Sequence, residues 1–121
     1  MELKDKFPAT FRRYELYIEF FHQKTGVQNI QDAKDYQAII LKSLIAYFLY
    51  KERFILKRKT GKITLKDIAI FLGYKDHTGV LYSIKRIKNM LYLQPKYPLY
   101  KKTISYYYYI FHCIFFYNYK N

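Results

Sequence analysis

The chain has 121 residues, 51% of them hydrophobic, with 22 basic against 9 acidic side chains and a net charge of +13. That length suits one domain with its own core and leaves no room for an ATPase domain beside it, and no glycine-rich phosphate loop is present. The lone cysteine, Cys113, excludes an internal disulfide, and no zinc-spaced Cys/His cluster, paired carboxylates or Ser/His/Asp set occurs, so no enzyme, metal or cofactor protein is expected.

A surplus of positive charge calls for a polyanionic partner, and here it is unevenly spread. Residues 1–35 hold six basic and six acidic groups, whereas residues 36–121 hold sixteen and three. The asymmetry predicts one basic face rather than a surface of mixed sign. Met1-Glu2-Leu3-Lys4-Asp5 has no apolar signal-peptide core. With a single cysteine, a cytoplasmic, nucleoid-associated location is expected.

Phe11, Tyr14, Tyr17, Ile18 and Phe21 recur at helical spacing before Gly26 and predict a first helix over about 10–24. A second is expected from near Asp32 to about Lys57. Within Ala38–Tyr50 only Lys42 and Ser43 are strongly polar, so this helix should be buried on most sides. Beyond it Lys57, Arg58, Lys59 and Lys62 form a basic cluster that is either a solvated loop or a phosphate-contacting one. Thr64 opens a third helix, with Asp67 as its capping-box partner and Leu65, Ile68, Ala69 and Leu72 as its apolar face. Gly73 stops it. Asp76 is an N-cap for a fourth helix, in which Val80, Leu81, Ile84, Ile87 and Leu91 keep helical spacing until Pro95 and Pro98 end it.

The remaining stretch is unusual. From Thr103 to Tyr119 no residue is charged, and positions 106–109 are consecutive tyrosines. It is short for a membrane span and tyrosine-rich rather than aliphatic, so a membrane role is not expected. A packed helix, a dimerisation strand or an interfacial anchor remain open, as does partner binding or self-association through residues 99–121. Left bare, such a segment would aggregate, so it must be covered. His22 and His112 sit among aromatics and read as packing residues.

A short helix, a glycine turn and a longer helix with basic flanks is the helix-turn-helix pattern. Its second helix offers its N-terminal residues to base edges in the major groove. The segment Leu65-Lys-Asp-Ile-Ala-Ile-Phe-Leu-Gly-Tyr-Lys-Asp-His-Thr-Gly-Val-Leu-Tyr-Ser-Ile-Lys-Arg-Ile87 resembles the signature of the C-terminal DNA-binding domain of the bacterial replication initiator DnaA. That family carries Leu-Pro-Glu-Ile, then Phe-Gly-Gly-Arg-Asp-His-Thr-Thr-Val-Leu-His, then a basic pair and Ile. The resemblance implies an all-α, Trp-repressor-like bundle of about four to five helices. It divides the chain into a helical extension at 1–31, the helix-turn-helix domain at 32–98 and an aromatic tail at 99–121. With the module ending near Leu93, removal of the tail would leave DNA binding intact.

The resemblance also implies roles for residues. Lys75, Asp76, His77 and Thr78 would face the bases. Asp76 can accept from a cytosine amino group while capping its helix, His77 can donate or accept at a base edge, and the Thr78 methyl can pack on a thymine methyl. Lys66, Gly79, Lys85, Arg86, Lys88 and the 57–62 cluster would hold the DNA backbone. Four departures stand out. Lys75 replaces an Arg, Gly79 a second Thr and Tyr74 a Gly, and the nearly neutral Gln28–Lys34 stands where the family has an Arg-rich loop reaching the minor groove. The expected function is sequence-specific double-stranded DNA binding in replication initiation or its regulation, with no cofactor and no small-molecule substrate. The other reading is a protein-protein or membrane-surface interaction module with a degenerate helix-turn-helix.

Overall fold

Pro8 has its φ already fixed and no N–H to lose, so it starts α2 (Pro8–Thr25) straight after a single turn, α1 (Leu3–Lys6). Gly26 ends α2 in the left-handed conformation, φ 71°, donating its N–H to the His22 carbonyl. This computed structural model describes residues 3–55, 63–93 and 98–119, and among them the protein is all-helical. The basic cluster Lys57, Arg58, Lys59 and Lys62 lies outside the described residues.

The second long helix begins later than the sequence suggests. Residues Ile30–Asp32 form a separate 3-10 turn, and α3 runs Tyr36–Ile55. Its cap is Asp35, not Asp32: the Asp35 carboxylate accepts from the Ala38 N–H at 2.8 Å. As expected from its apolar run, α3 is the hub. Residues 41–46 are all buried, and α2, α4 (Leu65–Leu72), α5 (His77–Leu93) and α6 (Pro98–Tyr119) all pack on it.

One flank of α3 is covered by α2 and by α6 (Pro98–Tyr119), so the tyrosine-rich tail is a helix and part of the core. Pro98, expected to help end the preceding helix, instead opens this one, where a missing N–H costs nothing. Ile104, Phe111 and Phe115 of α6 are each 0% exposed. Tyr17 meets Phe111 edge-on at 5.1 Å between ring centroids, and Phe48 of α3 lies 6.0 Å from Phe111 and 6.1 Å from Phe115. Offset and edge contacts of this kind add to what burial alone provides. No division of the packing falls at residues 31 or 98: α2, α3 and α6 share one continuous core with the helix-turn-helix.

Within this aromatic layer a charged pair is buried. Arg13 of α2 donates through Nε to Glu52 of α3, with side chains only 2% and 1% exposed. The Arg13 guanidinium also lies 5.9 Å from the Phe115 ring centroid, which ties three helices at one point. Burial, and then the Glu52 charge, push the neighbouring Tyr17 hydroxyl far above its ordinary pKa, with Arg13 opposing. No described helix is long and apolar enough to cross a membrane.

Candidate nucleic-acid interface

The opposite flank of α3 carries α4 (Leu65–Leu72) and α5 (His77–Leu93). Thr64 caps α4 through a full capping box. Its hydroxyl accepts from the Asp67 N–H at 3.1 Å, and Asp67 accepts in return from the Thr64 N–H at 3.0 Å. Asp67 is thereby the acid that builds the cap and is itself buried. Gly73 ends α4 at φ 72°, and the Tyr74 N–H closes the turn on the Ala69 carbonyl at 2.9 Å. Gln31, from the nearly neutral loop before α3, lies over this turn, where a Cβ on Gly73 would collide with its side chain.

Asp76 caps α5, its Oδ1 accepting from the Thr78 N–H at 2.9 Å, as the sequence predicts. Lys75, Asp76, His77 and Thr78 are all exposed and form one short rim at the helix start. Behind them Val80, Ile84, Ile87 and Met90 bury the opposite face of α5 in the core. The turn is fixed from α2 as well. Tyr14 donates to the Phe71 carbonyl at 2.6 Å and packs on the Phe71 ring at 4.8 Å, and burial pushes its hydroxyl up to about 12. The rim therefore sits on a rigid support.

The proposed backbone residues divide. Lys66 is exposed on the first turn of α4, and Lys85 is exposed on α5 one face with Thr78, about 10 Å further along the axis. Lys88 lies at the edge, with its Nζ 5.7 Å from the Tyr50 ring centroid. Arg86 is tied down, donating from Nη1 to Ser43 of α3 at 2.8 Å. Five exposed basic residues (Lys66, Lys75, Lys85, Arg86, Lys88) against one exposed acid, Asp76, make this surface basic over residues 63–93. The outward stripe holds three residues that the motif alone did not single out: Tyr82, Asn89 and Tyr92 follow Thr78 and Lys85 on the same face. Helical spacing from Thr78 would have found them.

Two departures from the family pattern prove to be one. A Cβ on Gly79 would stand 2.6 Å from Cδ1 of the Tyr74 ring. The ring fills the space a threonine would occupy, and its hydroxyl bonds the Ser83 hydroxyl at 2.6 Å. Gly79 is thus a packing requirement of Tyr74. Alanine in a helix normally gains up to about 1 kcal/mol over glycine. Here Gly79→Ala should instead cost about 1–3 kcal/mol, as overpacking does. In a Tyr74→Ala background the same change should stabilise, which paired urea melts would read as a change of sign. Equal effects in both backgrounds would show the two positions to be uncoupled. Comparison with protein-family models, curated proteins and solved structures finds no match to the chain.

Proposed function

We propose that this protein binds double-stranded DNA sequence-specifically through α4, the Gly73 turn and α5, in replication initiation or its regulation. The observation that supports this best is the exposed rim Lys75-Asp76-His77-Thr78. It opens a 17-residue helix that is otherwise anchored by Val80, Ile84 and Ile87. Its residue types match the reading positions of the initiator domain it resembles, and basic side chains flank it. In the proposed complex the N-terminal half of α5 enters the major groove, His77 and Thr78 meet base edges, and Lys66, Lys85 and Lys88 meet phosphates.

One observation favours the second reading, an interaction module with a degenerate helix-turn-helix. Leu81, Tyr82 and Tyr92 leave 45%, 66% and 79% of their surface exposed along the outward stripe of α5, large hydrophobic side chains of the kind a docked protein would cover.

The deciding experiment selects a preferred duplex from a random library and titrates variants against it and a scrambled duplex. His77→Ala and Thr78→Ala should each cost about 1–3 kcal/mol on the preferred site and far less on the scrambled one. Lys85→Ala should weaken both and make the slope of log K against log salt shallower by about one. Equal weakening of both duplexes by the His77 and Thr78 variants would remove the case for sequence reading. The absence of any selected duplex would favour the second reading.

A further inference from the structure

A cleft of about 340 Å³ opens where α3 meets the first turns of α5, and its polar wall is Lys42, Tyr74, Gly79, Tyr82, Ser83 and Arg86. Two cations line it and no carboxylate does. Lys42 keeps only 9% of its surface exposed and has no carboxylate partner among the described residues. Its Nζ stands 4.2 Å from the centroid of the Tyr74 ring. The Lys42 stem is buried while its ammonium is only partly desolvated; without a carboxylate beside it that still has a cost, which a single aromatic face offsets only in part. Burial accordingly lowers the Lys42 pKa.

The other groups are held ready. Ser43 fixes one Arg86 nitrogen, leaving a planar fork with further N–H donors. The Tyr74 and Ser83 hydroxyls bond each other at 2.6 Å, so whichever accepts still has its own proton to donate. Two cations, one of them held by Ser43, and a hydroxyl donor around one small cleft suit a multiply bonded phosphoryl oxyanion of charge between −1 and −2.

We infer that this cleft is a phosphoryl-binding site in which Lys42 and Arg86 are the charged ligands and the Tyr74–Ser83 pair supplies a hydroxyl donor. The source of the phosphoryl group is either a DNA phosphodiester or a free phosphorylated small molecule. The first source rests on the DNA-binding reading above: Gly79 and Tyr82 at the lip flank Thr78, so a seated phosphate would fix how deep α5 enters the groove.

The test uses the full chain and inorganic phosphate, titrated at constant ionic strength against chloride and followed by amide chemical shifts. One saturable site at the cleft is expected. Lys42→Met and Arg86→Gln should each weaken it about tenfold or more, the loss of one charge-assisted contact. Lys42→Met should melt no lower than the parent in phosphate-free buffer, because it keeps the apolar stem and removes a partly desolvated charge that no carboxylate offsets; a lysine kept only for packing would lose stability instead.

A second arm places single neutral methylphosphonates along the preferred duplex. If one position weakens the parent but not the Lys42→Met variant, the phosphate is the DNA's. Lys42-dependent phosphate binding without such a position assigns the site to a phosphorylated small molecule, and stands even if DNA binding fails. Absence of both Lys42-dependent phosphate binding and methylphosphonate coupling overturns the inference.

Discussion

Removing residues 99–121 should abolish the cooperative unfolding transition of the whole protein and leave it unable to bind any duplex. The truncation takes away Ile104, Phe111 and Phe115, all fully buried, and strips the cover from Tyr17 and Phe48. Truncating a single buried Phe to Ala costs about 3–5 kcal/mol, so losing three large buried side chains together is comparable to the whole stability of a typical domain, about 5–15 kcal/mol. Calorimetry and near-UV circular dichroism would record the loss. A sharp melt in the truncated chain would show that α6 is an accessory. The milder variant Phe111→Ala should keep the fold at a cost of about 3–5 kcal/mol and lower the melting temperature without changing the salt slope of DNA binding.

Breaking the buried pair should be nearly as damaging. Glu52→Gln leaves the Arg13 guanidinium without this counter-charge beside Tyr17 and Phe115, and Arg13→Met takes from the buried Glu52 carboxylate its guanidinium donor. Each should cost about 3–5 kcal/mol. The double replacement Arg13→Met/Glu52→Leu should recover most of that, because it removes both desolvated charges and also the Arg13 Nη2 group, which is buried without a hydrogen-bond partner. Urea midpoints for the two singles and the double form a closed cycle. Additive losses would mean that the two charges do not depend on each other, contrary to their geometry.

Much of the helix-turn-helix was legible because its signals are local. Thr64 with Asp67, Gly73 and Asp76 each fix backbone geometry within four residues, and all three act as their residue types predict. The tail was opaque for the opposite reason. Ile104, Phe111 and Phe115 keep helical spacing, but almost every intervening position is also apolar, so the pattern lacks the polar contrast that marks a buried face. Arg13 and Glu52 were hidden by their separation in sequence, since nothing local distinguishes a buried arginine from its exposed neighbour Arg12.

The candidate cleft carried a sequence signal that is understood only with the fold. Lys42 and Ser43 are the two strongly polar residues inside the apolar run of α3. They are also the side chains that reach Tyr74 and Arg86. They mark the face that α3 turns toward α5. The exchange of Tyr74 and Gly79 was visible as two separate departures, and their coupling lies in one ring-to-backbone approach that spacing alone does not reveal.

The burial of Phe111 and Phe115 against α2 and α3 has a consequence for how the protein comes into being. A ribosome that has delivered α4 and α5 has made every residue of the proposed reading surface, yet has not made the residues that cover Tyr17 and Phe48. Until α6 emerges, the nascent chain carries an open aromatic layer with the Arg13–Glu52 pair inside it, a state suited to chaperone capture rather than to DNA. Competence for the proposed DNA reading therefore arrives late and all at once, and a chain cut short before Phe111 would carry the whole proposed reading helix on a protein that cannot hold it still.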